Sequence, residues 1–197
     1  MSLLARAGLL AALVLSSCGV THVDDLALPP TYEVELRKTW YVRDEVPRTE
    51  RSVRLYSDGR IVTHGAERSW FRDGQLEKEL TFDDGVPTGV WRTWYPDGSP
   101  RSELEMGEEP RPMRFWYEDG TLEAEGQGVL GVREGLWTYY HRNGRIASTG
   151  PFRAGVEEGH WRYFDAEGNL EEEGRYEKGR RTGVWERPLP APDAPGQ

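Results

Sequence analysis

The sequence is poor in the residues from which most hydrophobic cores and covalent cross-links are built. Of its 197 residues, 39 are Leu, Ile, Val or Phe. In a charged chain, a share of these residues below roughly 20% is typical of disorder, and this chain lies at that boundary. One cysteine excludes an internal disulfide framework and a Cys-based zinc site. Basic residues are also fewer than acidic ones, and the formal net charge of −9 argues against nucleic acid and anionic membrane surfaces as partners.

Aromatic residues and glycine take the place of the missing aliphatic residues. The chain has 8 Trp, 9 Tyr, 5 Phe and 23 Gly, and every Trp lies at or beyond residue 40. Aromatic side chains bury large areas individually. The composition therefore predicts a folded chain with a core of Trp, Tyr and Gly.

The first seventeen residues have the three-part pattern of a secretory signal peptide, predicted as a helix. Arg6 precedes the apolar run of residues 7–15, and the small residues Ser16 and Ser17 follow it. The run is shorter than the roughly 20 apolar residues that span a bilayer. A buried helix or strand is the alternative interpretation.

Cys18 directly follows Leu15, Ser16 and Ser17, and this segment resembles the lipobox of bacterial lipoproteins. The resemblance implies cleavage before Cys18 and its lipidation by a thioether lipid and acyl chains such as palmitate. Several chains on one residue anchor a protein stably. Gly19 stands where an Asp would mark retention at the inner membrane, so the resemblance implies the outer membrane of the cell envelope. The alternative is a small buried hydrophobic cysteine.

The rest of the chain is a repeat with a period of about 24 residues, a size typical of stacked supersecondary units. Asp-Gly, Asn-Gly or Glu-Gly pairs between aromatic and alternating segments predict β-hairpins. Successive turn glycines have spacings of 24, 22, 24 and 24: Gly74, Gly98, Gly120, Gly144 and Gly168. Further glycines follow each of the last three at offsets of +6, +11 and +15 and are predicted to mark turns or strand ends.

The repeat has two irregular places, which help to divide the chain into segments. One repeat unit is two residues shorter than the others. The unit after Gly98 carries Met113 where Trp is expected, which predicts a local irregularity in the stack. The step from Gly59 to Gly74 is much shorter than the period, so Gly59 is out of register. Besides the signal peptide of residues 1–17, the predicted segments are a lipidated cysteine with a tether at 18–31, an irregular β cap at 32–66, hairpin repeats at 67–187 and a Pro-rich tail at 188–197.

The pattern resembles the MORN repeat, and more closely its bacterial variant. The segment from Gly159 to Trp185, with Trp161, Gly168, Gly174, Gly179 and Gly183 in register, is the best copy, and the resemblance covers residues 55–185. It implies an all-β fold, an elongated and twisted antiparallel sheet of stacked hairpins. Such chains are mostly described as interaction or membrane-associated modules, and bacterial variants are often labelled antitoxin-like.

Two rows of aromatic residues recur at fixed repeat positions. One row contains Trp91, Trp137, Trp161 and Trp185, and the other contains Trp70, Trp94, Trp116, Tyr140 and Phe164. A single-layer sheet has no second layer to cover it, so such rows must supply its burial. The first row is also the candidate binding groove for a glycan or a peptide. We favour the core interpretation, because the repeat needs these residues to fold.

The sequence carries no pattern of catalysis. The carboxylates of residues 171–173, with Glu123 and Glu125, form a cation site or, as we favour, a solvated strand face. The histidines His22, His64, His141 and His160 occupy no special positions, and no His-carboxylate metal spacing or Ser or Cys nucleophile motif occurs. We therefore expect no enzyme activity, no cofactor and no metal.

Together these features favour a membrane-anchored envelope lipoprotein that acts as a non-catalytic protein-interaction scaffold. Its partner is expected to be an envelope protein that the sequence does not identify, with no nucleic acid involved. Two alternatives stay open. One is a module that binds glycan, peptidoglycan or peptide in an aromatic groove, and the other is an antitoxin-like protein that neutralises a partner.

Overall fold

The computed structural model describes residues 30–41 and 46–187, which form one open antiparallel sheet of fourteen strands. The predicted signal peptide, Cys18 and the Pro-rich tail lie outside these residues. Within the described part, no helix has the length and apolar character needed to cross a membrane. The all-β prediction of stacked antiparallel hairpins is confirmed.

The strands follow one another across the sheet in chain order, and the two-residue β11 lies beside β10. Their bounds are β1 Tyr32–Trp40, β2 Pro47–Tyr56, β3 Ile61–Trp70, β4 Leu76–Asp83, β5 Val86–Trp94, β6 Pro100–Glu105, β7 Arg111–Trp116, β8 Leu122–Val129, β9 Val132–Tyr140, β10 Ile146–Arg153, β11 Val156–Glu157, β12 Gly159–Phe164, β13 Leu170–Glu177 and β14 Arg180–Glu186.

The connections alternate between two ends of the strands, and most connections at each end share one turn chemistry. At the Asp-Gly end, five-residue connections contain the glycines of the sequence period. In one of them Tyr95 N–H donates to the Ser99 carbonyl at 2.9 Å, and Ser99 N–H donates to Asp97 Oδ1 at 2.8 Å. The Ser99 hydroxyl and N–H hold the pKa of Asp97 below its usual range.

At the opposite end, four connections are two-residue turns in which both residues have positive φ, as hairpin turns matching the strand twist require. A non-glycine residue with φ of 46–51° comes first and a glycine follows: Asp84-Gly85, Leu130-Gly131, Ala154-Gly155 and Lys178-Gly179. We call this the tight-turn end.

The position of Gly59 explains its irregular spacing. Its turn joins β2 to β3 at the tight-turn end, whereas the Gly74 turn joins β3 to β4 at the Asp-Gly end. Only one strand therefore separates the two glycines. That strand, β3, also crosses the predicted boundary between residues 66 and 67.

The short unit is irregular in its connection and in the side chain at the Trp position, but its strands stay in the sheet. Residues 106–110 replace a two-residue turn between β6 and β7, while both strands keep antiparallel pairing with their neighbours. Met113 is only 2% exposed and fills the place of the missing indole. The stack thus continues through this unit.

The glycines at offset +6 from the turns are not at turns or strand ends, which corrects the prediction. They lie inside β8, β10 and β13, where each forms a flat floor beneath an indole ring. A Cβ atom there would come within 2.2–2.5 Å of a ring carbon, in the pairs Gly126 with Trp137, Gly150 with Trp161 and Gly174 with Trp185. Only glycine allows this approach.

We expect Gly126→Ala to destabilise the sheet by about 1–3 kcal/mol, the usual effect of overpacking a dense core. The added methyl group would overlap the ring of Trp137, which is fully buried. Urea unfolding followed by Trp fluorescence measures the change. Gln127→Ala is the matched control, because this neighbouring side chain is exposed. Equal midpoints for the two variants would contradict the floor role.

Candidate functional site

The two faces of the sheet differ in chemistry. Because side chains alternate along a strand, Trp137 and Tyr139 lie on one face and Thr138 and Tyr140 on the other. We call the first the aromatic face, after the indole rings of the Trp91 row. The other is the charged face, after a row of acidic and basic side chains.

A continuous set of rings covers the aromatic face over the C-terminal half. Centroids are 6.0 Å apart in the pair Phe115–Trp137 and 5.3 Å in the pair Phe152–Trp161. The set ends with Tyr176 and Trp185, also 5.3 Å apart and edge to face. Such tilted pairs contribute about 0.5–1.5 kcal/mol each beyond their buried area. The rings therefore act as the core of a sheet to which residues 30–41 and 46–187 add no second layer.

The candidate binding row of Trp91, Trp137, Trp161 and Trp185 belongs to this core. Trp137 is 0% and Trp161 is 2% exposed. Three of the indole N–H groups donate to a carbonyl of the preceding strand at 2.9–3.1 Å, in Trp91, Trp137 and Trp161. The two central indoles thus have no surface to offer to a ligand, while Trp91 and Trp185 are half-buried.

Sequence reasoning missed the rings that cover these indoles. Phe115, Tyr139 and Tyr163 follow the Trp position by two residues, and Phe152 and Tyr176 follow the floor glycines by two. The spacing of two was the available signal, since residues i and i+2 share a face. Burial raises the pKa of Tyr139, and it raises the pKa of Tyr163 together with a 3.0 Å hydroxyl contact to Tyr176.

Two arginines cover the outer side of the rings. The guanidinium of Arg133 lies 5.0 Å from the Trp137 centroid and 5.3 Å from that of Phe152. That of Arg181 lies 3.9 Å from the Trp185 centroid. Cations at these distances are attracted to the ring faces. They shield the rings from water and so complete the burial.

The charged face carries a row of side chains that lie directly opposite one another from strand to strand. Acidic and basic residues alternate over the first eight strands, and two threonines interrupt the alternation. The row is Lys38, Glu50, Arg68, Glu79, Arg92, Glu103, Arg114, Glu125, Thr138, Thr149, Arg162, Glu173 and Glu186. Opposite charges in directly opposed positions stabilise strand pairing.

The ion pairs of this row are formed in the structure. Lys38 Nζ lies 2.7 Å from Glu50, and Arg68 lies 2.7 Å from Glu79. Arg92 Nε lies 2.9 Å from Glu103 Oε2. Since these side chains are partly exposed, each pair adds little stability and is screened by salt. Their consequence is a regular face with little net charge.

The predicted acidic cluster does not form one group. Glu173 faces His160 at 3.5 Å on the charged face, whereas Glu172 binds Arg181 at 2.6 Å on the aromatic side. Glu125 accepts a hydrogen bond from the Tyr140 hydroxyl at 2.9 Å. Within residues 30–41 and 46–187, no three His, Cys, Asp or Glu side chains are grouped to hold a metal ion.

The second aromatic row lies on the charged face beside the Asp-Gly turns. Its backbone carbonyls accept hydrogen bonds of 2.8 Å from side chains of the preceding connection, in the pairs Tyr41–Trp70, Tyr95–Trp116, Tyr117–Tyr140 and His141–Phe164. His141 stands where other units have a Tyr. A neutral His141 ring must carry its proton on Nε2 to donate this bond. These bonds tie four of the connections to the following hairpin.

A shallow cleft of about 340 Å³ opens in this row and is a candidate binding site, because two indole rings are among its lining residues. The half-buried rings of Trp94 and Trp116 line it together with Pro100, Arg92 and Glu103. Binding sites combine apolar and aromatic walls with a few polar groups. The cleft has that combination, and it lies on the face opposite the buried indoles of the originally predicted groove.

Comparison with known families identifies the repeats. The model of the MORN repeat variant matches residues 63–84, 87–106, 133–154 and 157–178. Each match covers two strands and the Asp-Gly connection between them. The unmatched hairpin β7–β8 lies between the second and third matches. The predicted repeats are therefore confirmed, and repeats of this kind indicate a binding or scaffold role. No curated protein matches the chain significantly.

The two rows of indoles should respond differently to truncation. We expect Trp161→Ala to lower the free energy of unfolding by about 3–5 kcal/mol, the usual cost of deleting a buried Trp. Trp94→Ala should cost about half as much, because less apolar area is lost from a half-buried ring. Chemical denaturation of both variants measures the difference. If Trp161→Ala left the stability unchanged, the core assignment of this row would be wrong.

Proposed function

We propose that the chain is a membrane-anchored envelope lipoprotein that acts as a non-catalytic protein-interaction scaffold through its MORN-variant repeats. The observation that carries the proposal is the aromatic-lined cleft on a sheet face over which the described residues form no second layer. The hydrogen-bonded turns support it, because they hold the face in one geometry. A preformed face of this kind binds a partner without a large ordering cost.

The anchor is the lipidated Cys18, and residues 18–31 form the tether. Fourteen extended residues reach about 45 Å at most. β1 is the first strand after this segment, so the tether connects the bilayer to the N-terminal edge of the sheet. The repeats then present their faces to the envelope space. The outer membrane is the proposed location, on the basis of Gly19.

The charged face suits a protein partner with both acidic and basic side chains. Its row presents partly exposed ion pairs of alternating sign, and the Trp94–Trp116 cleft accepts an apolar or aromatic side chain. Such anchors in a central pocket, within a polar surround, dominate the energy of protein interfaces. The surface charges would contribute chiefly to specificity and rate of association.

A glycan is the second candidate ligand, favoured by the two indole rings that flank the cleft. Sugar rings stack on indoles, and Arg92 and Glu103 supply hydrogen-bonding groups at the same place. Peptidoglycan strands are the glycan of this compartment. The cleft is short, however, and the alternating charges along the rest of the face match a protein surface better.

The lipid anchor has a direct test. In a Gram-negative host, we expect the wild-type chain to partition into the membrane fraction and the Cys18→Ser variant to be released into the soluble envelope fraction. The reason is that the acyl chains provide the membrane affinity. Ser17→Ala is the control, since it keeps the thiol. A Cys18→Ser chain that stays with the membrane would overturn the anchor.

The scaffold role is tested by capture from envelope extracts. We expect a specific protein to bind the wild-type chain and to be lost, by at least tenfold, from the double variant Trp94→Ala, Trp116→Ala. Val184→Ala is the matched control, because Val184 is 88% exposed on the same face at a distant edge. Quantitative mass spectrometry gives the ratio, and circular dichroism checks that each variant is folded.

Purified peptidoglycan sacculi provide the competing arm of this experiment. Binding to sacculi that depends on the same two indoles, with no protein captured, would replace the scaffold proposal by the glycan alternative. Equal capture of one protein by all three chains would show that the cleft is not the binding site.

A further inference from the structure

The first strand of the sheet is a long edge with an exposed apolar face. Among the described strands, β1 pairs only with β2. Its side chains on the charged face are exposed by 47% for Tyr32, 60% for Val34, 52% for Leu36 and 54% for Trp40. Natural edges are normally short, bulged or covered, because open strands pair with one another. This edge has nine residues, its one register irregularity lies at its end, between Thr39 and Trp40, and no second described strand covers it.

We propose that β1 is a dimerisation strand that pairs antiparallel with β1 of a second copy of this chain. A two-fold axis perpendicular to the sheet passes through Leu36. The two sheets then become one continuous sheet, with the charged faces of both copies on the same side. The proposal is independent of the lipid anchor and of the Trp94–Trp116 cleft.

Charge selects this register among the symmetric ones. With Leu36 opposite Leu36 of the second copy, Glu35 lies opposite Arg37 twice, and Val34 lies opposite Lys38. An axis at Glu35, Arg37 or Lys38 would place like charges directly opposite, and an axis at Val34 would oppose Glu33 to Glu35. Directly opposed like charges destabilise a strand pair. Among axes through the middle of β1, only the Leu36 register avoids them along the whole overlap.

The apolar residues agree with the same register. Tyr32 then lies opposite Trp40 at both ends of the strand pair, and the two Leu36 side chains meet at its centre. Within one chain, Tyr32 already has Tyr56 as a ring neighbour, with centroids 5.6 Å apart. Pairing would add an aromatic neighbour on its open side. All four exposed apolar side chains of β1 gain a contact.

Two opposed positive charges at the N-terminal edge support a second copy of this chain as the partner of β1. Arg37 lies directly opposite Arg51 of β2, and Arg51 lies opposite Glu67 of β3. Among the described residues, the pair of arginines is thus flanked by a carboxylate, that of Glu67, on the β3 side and by none on the open side of β1. Arg37 itself makes an exposed contact of 3.3 Å with Glu35 of its own strand. In the dimer, Glu35 of the second copy supplies the carboxylate on the other side.

The opposite edge of the sheet is less suited to pairing. β14 is shorter, with seven residues, and its register with β13 shifts near Gly183, whose φ is +69°; short and bulged edges are protected against pairing. The sequence that follows has Pro188, Pro190 and Pro192, and proline cannot donate a backbone hydrogen bond. β1 is therefore the edge that we assign to association.

Cysteine cross-linking tests the register in the full chain with Cys18 replaced by Ser. Directly opposed residues of antiparallel strands have Cα atoms about 4.5–5.5 Å apart, within the range for a disulfide. We expect Leu36→Cys to form a covalent dimer on mild oxidation. Val34→Cys is the matched control, because its two copies would lie about 14 Å apart along the strands. Equal cross-linking of both, or of neither, would overturn the register.

Charge exchange tests the dimer itself by sedimentation in detergent-free buffer. We expect the Cys18→Ser chain to have the mass of a dimer at micromolar concentration and Arg37→Glu to reduce it to a monomer. Adding Glu35→Arg to Arg37→Glu restores opposite charges across the axis and should restore the dimer. Glu108→Arg, an exposed change in the β6–β7 connection, is the control. A monomeric parent chain, or no rescue by the second change, would refute the proposal.

Discussion

The close contact between an indole ring and a glycine backbone is the interaction on which the C-terminal half of this sheet depends. A domain normally buries its core between two layers. Here a single layer must do so alone, and it does by laying the Trp137 ring on the bare Cα of Gly126 and repeating this in later hairpins. The ring then lies low enough for Phe115, Phe152 and Arg133 to cover it. This packing accounts for three of the glycines and three of the tryptophans, while fifteen other glycines have positive φ.

Each hairpin repeats the same contacts with its neighbours, so the stability of the sheet is local and additive, as in other repeat proteins. On the aromatic face the link is ring against ring. On the charged face it is a carboxylate against a guanidinium, and at the Asp-Gly end a side chain such as Tyr117 donates to the next hairpin. The charged face uses its polar groups largely for these internal links. The Trp94–Trp116 cleft, where two rings stay half-buried, is therefore the feature most available to a partner.

The sequence allowed the hairpins and their stacking to be predicted, because Asp-Gly turns and the regular glycine period act over short distances. It did not reveal the charge row, since positive-φ glycines such as Gly89 and Gly135 insert extra residues on one strand and shift the pairing. Glu125 and Thr138 face each other only because of such a shift. The floor role of Gly126 was hidden for a similar reason, because a turn glycine and a packing glycine look alike in sequence.

At the two ends of a repeat array, the residues lack the contacts that a neighbouring repeat supplies elsewhere. At the C-terminal end the indole N–H of Trp185 is buried without a hydrogen-bond partner, whereas its three counterparts each donate to a carbonyl. At the N-terminal end the deficit is one of charge, between Arg37 and Arg51. A second copy can supply a carboxylate to β1 without altering any interior contact. Association of the chain is therefore decided at its edge strands, while recognition of other molecules is left to the face between them.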